Sequence, residues 1–239
     1  MEKFNSENNS MSKSQISKST LLFLKDLSEN NKREWFTEQK SRYIAAHQNM
    51  CDFVDALILE MNKHDQIENT SGKKSLFRIY RDVRFSKEKT PYNPRFAFSL
   101  RRATKLRRGG YYMNLSPGNT YLACGFFGPD PDDLKRIRLD IQGNYKEWKK
   151  MLNNKTLKDN FGNMRGEKVL TSPKGFSKDH PAIALLRHKQ FIFRHDFKDK
   201  EIISENFLHI ANDLFKSIRP FFNYMSAVLT TDANGEPLF

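Results

Sequence analysis

Apolar residues at Met50, Phe53, Val54, Leu57, Ile58 and Met61 fall on one stripe of a helix. That spacing predicts an amphipathic helix facing a core. Upstream, Leu21, Leu22, Leu24 and Leu27 predict a shorter helical piece. In "NNKREWF", Asn31 followed three residues later by Glu34 predicts a capped helix start. From about residue 76 to 127 the period changes to two. Phe77, Ile79, Val83 and Phe85 share one parity. Phe96, Phe98 and Leu100 form a second run, Tyr111, Met113 and Leu115 a third, and Leu122, Cys124 and Phe126 a fourth. Together they predict an antiparallel meander of about four strands, with "SPGNT" as the turn between the last two. The opposite face carries Ala97, Ser99, Asn114, Ala123 and Gly125. Such small residues admit a helix or a ligand close to the sheet, helix packing being the commoner case.

Helical spacing resumes at "GPDPDDLKRIRLDI". Asp130 suits the cap, Pro131 the first helical position, and Leu134, Ile137 and Ile141 the buried stripe. Further helices are predicted around Trp148, Leu152 and Leu157, in "SKDHPAIALLR", and from about 199 to 229. "KQFIFRHDF" reads as one more strand. Helices, then strands, then helices make an α+β fold: a central antiparallel sheet of about four to five strands flanked by N-terminal and C-terminal helices. Residues 1–18 are Ser, Asn and Lys rich without periodicity and read as a disordered polar tail. Residues 19–239 read as a single α+β domain.

The 239 residues, 38% of them hydrophobic, are enough for a sizeable core. No apolar run approaches the roughly 18–20 residues that span a bilayer. The N-terminus lacks the apolar core of a secretory signal. Only two cysteines are present, Cys51 and Cys124, both within apolar patterns. They read as packed thiols in a reduced, cytoplasmic setting.

Charge sharpens the picture. The formal net charge is +13, and residues 72–110 hold 13 of the 41 lysines and arginines against two acids, Asp82 and Glu88. Nearly all the excess therefore sits in one sixth of the chain, which points to a local anionic partner. Familiar catalytic signatures are missing: no phosphate-cradling GxxxxGK[ST] loop, no GxGxxG, no GxSxG and no HExxH. A D…ExK nuclease pattern fails, because Thr90 stands where Lys is needed after Asp82 and Glu88. The six histidines form no recognisable ligand set, so no metal and no cofactor is indicated.

Two basic regions remain. The hairpin tip Arg101, Arg102, Lys105, Arg107 and Arg108 has no interleaved aromatic residue. It reads as a solvated tip or as a phosphate footprint for nucleic acid. The stretch "SLFRIYRDVRFSKEKTPYNPR" is chemically richer. On a strand, Arg78, Tyr80, Asp82 and Arg84 share one face, and Arg81 lies on the other with the apolar residues. An arginine on an apolar face must be paired, reach the rim or meet an anion. The guanidinium fork suits phosphate or carboxylate. The leading reading is a small anionic ligand held by Arg78, Arg81, Arg84, Lys89 and Tyr92, with Asp82 orienting an arginine or, in an enzymatic extension, acting as general base. The alternatives are nucleic-acid binding at 101–108 and a purely structural Arg–Asp network. No membrane partner is indicated.

"NNKREWF", "FRIYRDVRFSKEKTPY", "GGYYMNLSPG", "GFFGPDPDDLKRIR" and "LLRHKQF", in that order, resemble the domain-of-unknown-function 2461 family of bacteria and fungi. The resemblance runs from about Leu21 to near the C-terminus. It implies a single α+β domain and brings no established activity. By resemblance, Arg78, Arg81, Asp82, Arg84, Phe85, Lys89, Thr90, Pro91 and Tyr92 lie on the family signature. Asn93, where the family often has Lys, and Cys124, where Gly is frequent, depart from it.

Overall fold

The computed structural model describes residues 14–84, 89–232 and 235–238. Phe85, Lys87 and Glu88 lie outside the described residues. Helix α1 spans Lys18–Glu29, α2 Arg33–Glu38, α3 Lys40–Met61 and α4 Gly72–Ser75. Strands β1 (Phe96–Arg101), β2 (Gly110–Leu115) and β3 (Thr120–Phe126) follow. Next come α5 (Pro131–Gly143), α6 (Tyr145–Leu152), α7 (Lys155–Phe161) and α8 (Ile183–Leu186). Strand β4 (Phe191–Phe197), α9 (Asp199–Ile202), α10 (Phe207–Ser217) and α11 (Arg219–Thr230) complete the order. The four strands form one antiparallel sheet in the order β1-β2-β3-β4, with helices before and after, so the fold is α+β.

The chain packs into two compact units, one of residues 1–100, 112–122 and 196–213, the other of 101–111, 123–195 and 214–239. In the first, Met50, Phe53, Val54, Leu57, Ile58 and Met61 are all buried, as their spacing predicts. Phe207 packs on Phe53 and on Phe197, with ring centroids 5.7 and 5.1 Å apart. Phe23 stacks on Trp35 at 6.3 Å. Residues 1–13 of the predicted polar tail lie outside the described residues, and its last residues are ordered: Ile16 is fully buried, and the Ser17 side chain accepts from the Thr20 amide to cap α1. Gln15 donates to the Ile203 carbonyl at 2.7 Å.

The second unit is built on aromatic packing. Trp148 is fully buried against Phe191, Phe221 and Tyr224. Its indole N–H donates to Asp140, which also accepts from the Tyr224 hydroxyl, both at 2.7 Å. Burial and this carboxylate together push the Tyr224 phenol well above its ordinary range. The start of α5 forms as its sequence predicts: Asp130 accepts from the Asp133 amide at 2.8 Å and Pro131 opens the helix.

The predicted strand is absent as a continuous element over residues 76–84. Residues 76–84 make two isolated bridges, Leu76 with Phe98 and Tyr80 with Tyr92. The Phe77 amide donates to Ala97, the Arg81 amide to Pro91 and the Asn93 amide to Ile79. Pro91 and Pro94 lack the N–H that a continuous ladder needs, so pairing stops between these contacts. Alternation survives in part from residue 78 on, whereas Phe77, of the apolar parity, is exposed. Arg78, Tyr80, Asp82 and Arg84 are exposed, Ile79 is buried, and Arg81 and Val83 are half-buried.

Candidate functional site

Residues 78–84 and 89–92 are held by three clamps. The Tyr80–Tyr92 bridge closes it. Arg81 Nη1 donates to Thr90 Oγ1 at 2.8 Å. Asn31 grips Tyr92 from both sides, donating to its carbonyl at 2.9 Å and accepting from its amide at 3.1 Å. Asn31 therefore does not cap α2, whose N-terminal flank is Lys32 with no side-chain cap. A short amide side chain near a helix start reads as a cap in sequence, whereas here tertiary pairing has taken it.

Tyr92 is 5% exposed and stacks on Phe36 with centroids 3.9 Å apart. Burial raises its phenol pKa first, and the charged or ionisable groups acting on it are Tyr80, Arg33 and Glu34. Its ring is thus part of an aromatic floor. Lys40 belongs to the same floor: its ammonium lies 5.3, 4.9 and 6.0 Å from the rings of Phe36, Tyr43 and Tyr80 and donates to the Tyr80 hydroxyl at 3.3 Å. The sequence reading missed Lys40. Its signal was Phe36 four residues before and Tyr43 three after, the reach of a lysine over neighbouring rings.

On the exposed side, Asp82 and Arg84 form a fork. Arg84 Nε donates to Oδ1 at 3.0 Å and Nη2 to Oδ2 at 2.6 Å, and the Arg84 amide adds a third bond to Oδ1 at 3.2 Å. The Arg84 side chain is 76% exposed. These bonds to Arg84 hold the Asp82 carboxyl below the usual aspartate range, with Arg78 adding to the pull. Lys89, also exposed, donates to the Val83 carbonyl at 3.0 Å. A depressed carboxyl contributes stability above its unfolded pKa and loses it as pH falls through the folded pKa. Accordingly, an NMR titration of the Asp82 carboxyl is expected to give a midpoint below that of an unpaired aspartate. In Arg84→Ala the midpoint should move up, and an unmoved midpoint would refute the fork.

The basic hairpin divides. Arg101 and Lys105 are exposed, and Arg107 is half-buried. Arg102 is 5% exposed and turns inward. It donates to the Arg108 carbonyl at 3.0 Å, Ser226 Oγ at 3.4 Å and Asn223 Oδ1 at 3.2 Å, and lies over the Phe222 ring. The Arg108 guanidinium donates to the Asp133 carboxylate, and its amide donates to Ser226 Oγ at 2.9 Å. Burial pushes the Asp133 carboxyl up against the pull of Arg108. Two of the five hairpin cations are therefore committed to a buried Arg–Asp network.

Other chemistry-bearing groups are quiet. Cys51 Sγ sits 3.6 Å from His47 Nδ1, but burial raises the thiol pKa and lowers that of the imidazole, so the neutral pair is favoured over thiolate and imidazolium. Cys124 is fully buried with its pKa well raised. His180 Nδ1 accepts from the Ala182 amide. Among the described residues no group of three or more His, Cys, Asp or Glu side chains is placed to hold a metal ion, and no helix is long and apolar enough to cross a membrane.

The family model of a conserved hypothetical protein, DUF2461, matches residues 19–224. This chain belongs to that family. No curated protein and no solved structure matches it. The DUF2461 match contains both basic regions, the whole sheet and the Asn31–Tyr92 clamp. It stops just short of Ser226, which anchors the DUF2461 hairpin through Arg102 and Arg108.

Proposed function

We propose that the protein binds a small phosphate- or carboxylate-bearing ligand at the exposed side chains of Arg78, Arg84 and Lys89. The observation that carries this reading is the Asp82–Arg84 fork. It holds one guanidinium in a fixed direction while most of its side chain stays in solvent. A pre-oriented arginine loses less side-chain freedom on meeting an anion. Arg78 stands on the same exposed side and acts electrostatically on Asp82. Lys89 supplies a third cation, anchored through Val83. Roles then separate along the segment. Arg78, Arg84 and Lys89 contact the anion, Asp82 orients Arg84, and Arg81 and Tyr92 hold the backbone that carries them. With its carboxyl held low and its oxygens engaged by Arg84, Asp82 suits orientation better than proton abstraction.

Titration calorimetry with inorganic pyrophosphate tests this. Arg78→Ala and Arg84→Ala remove exposed side chains and leave the circular dichroism spectrum unchanged. Each is expected to weaken binding about tenfold, the loss of one charge-assisted hydrogen bond. Equal affinity of the double variant and the parent protein would defeat the reading.

A further inference from the structure

A basic concavity lies within the unit made of residues 101–111, 123–195 and 214–239. It is a cavity of about 330 Å³ whose polar lining includes Lys149, Asn153, Lys158, Asn163, Lys168 and His188. No carboxylate lines it among the described residues. The nearby acids are engaged elsewhere, Asp159 by Lys155 at 2.6 Å and Glu167 by Lys189 at 3.0 Å. Three lysines thus line one hollow, and among the described residues no carboxylate lines it with them. Like charges gathered along one hollow raise its attraction for an anionic guest.

The lysines are positioned by neutral partners. Lys158 Nζ donates to Asn163 Oδ1 at 2.6 Å, which uses one of its three donors. Lys149 Nζ stands 5.7 Å from the centre of the Tyr145 ring, also part of the lining. Lys168 faces His188 in an isolated antiparallel bridge, and directly opposed residues project to the same side. His188 is 3% exposed, and its Nδ1 lies 3.1 Å from the Gln190 carbonyl, so the ring is fixed and the tautomer set by that bond. The amides of Asn153 and Asn163 and the Tyr145 hydroxyl offer donors and acceptors of the kind that hydroxyl-bearing bodies use. The volume falls at the lower end of the range for small-molecule sites, about 300–1,000 Å³.

We infer that this cavity binds a small phosphate ester, with Lys149, Lys158 and Lys168 on the phosphate and the asparagines on its polar body. This inference does not rest on the reading of Arg78, Arg84 and Lys89 and stands or falls independently of it.

Calorimetric titration of the full chain with ribose 5-phosphate, ribose and inorganic phosphate tests the inference. Saturable binding of ribose 5-phosphate is expected, tighter than that of inorganic phosphate, with none for ribose. Lys149 and Lys168 are exposed, so Lys149→Ala and Lys168→Ala leave the fold in place. Each is expected to weaken binding of the ester about tenfold. Arg84→Ala should leave that binding unchanged. Absence of saturable binding, or parent-like affinity in both lysine variants, overturns the inference. So does inorganic phosphate binding as tightly as the ester. A loss confined to Arg84→Ala would assign the ligand to the arginine segment instead, and the inference about the cavity would fall.

Discussion

Arg102→Ala is expected to cost the protein about 4 kcal/mol of stability, read as a large drop in the urea midpoint of the far-UV circular dichroism signal. The reasoning starts from position. Arg102 is almost wholly buried, yet its charge is permanent. Three acceptors at 3.0–3.4 Å and the face of Phe222 make that burial tolerable. Removing the side chain leaves the Arg108 carbonyl and Asn223 short of a donor and opens a void beside Phe222. Both effects act in the same direction. Arg102→Lys keeps the charge but loses the planar fork, and should recover less than half of the loss. Arg101→Ala, one residue away and exposed, should change stability by no more than about 0.5 kcal/mol. If Arg102→Ala proved as harmless as Arg101→Ala, the inward network would be refuted and the hairpin would again be a surface patch.

Gly125→Ala is expected to be comparably damaging, at about 4 kcal/mol, the sum of backbone strain and overpacking. Gly125 lies in β3 with φ +145°, where L side chains are strained. An added Cβ would also lie 2.1 Å from the Phe191 carbonyl oxygen and 3.0 Å from the Ile192 Cα. Both are backbone atoms, so no rotamer change relieves the clash and β4 must shift. Gly162 provides the control. Its φ is +68°, but nothing lies within 4 Å of the added carbon. Gly162→Ala, at φ +68° and ψ −135°, should therefore cost about 2 kcal/mol, strain without collision. Thermal melts of the two variants measure the difference. Equal costs would mean that the close approach of β3 and β4 carries no energetic weight.

These two residues show where the sequence was legible and where it was not. Gly125 announces a close approach by its absent side chain, and the sequence points to a helix or ligand as the neighbour. The neighbour is the backbone of β4, far along the chain, and local pattern carries no information about distant partners. Arg102 was readable in principle. It shares the parity of Phe98 and Leu100, both fully buried, but charge suggested solvent and masked the period. Helices whose ends rest on local chemistry, such as Asp130 with Pro131, form as predicted. The stretch 76–84 fails as a strand because its pairing depends on Pro91 and Pro94, which withhold donors. Its alternation matched the exposure of Arg78, Tyr80, Asp82 and Arg84 and the burial of Ile79, but not Phe77, which shares the apolar parity and is exposed. Arg81 was expected to be the anomalous charge on an apolar face. It is half-buried with a bond to Thr90, while the fork at Asp82 and Arg84 forms on the face the parity assigned.

The chain has two tryptophans, and each compact unit holds one. Trp35 is half-buried beside Phe23, whereas Trp148 is fully buried with its indole N–H tied to a carboxylate. The two emitters therefore occupy different environments and report on different parts of the molecule. In a Trp35→Phe protein, all indole fluorescence would come from the second unit. A Trp148→Phe protein would have emission only from the first, at the cost of a perturbed interior. Denaturation followed in this way becomes a two-channel experiment, in which coincident traces mark a single cooperative transition and separated traces mark units that melt apart.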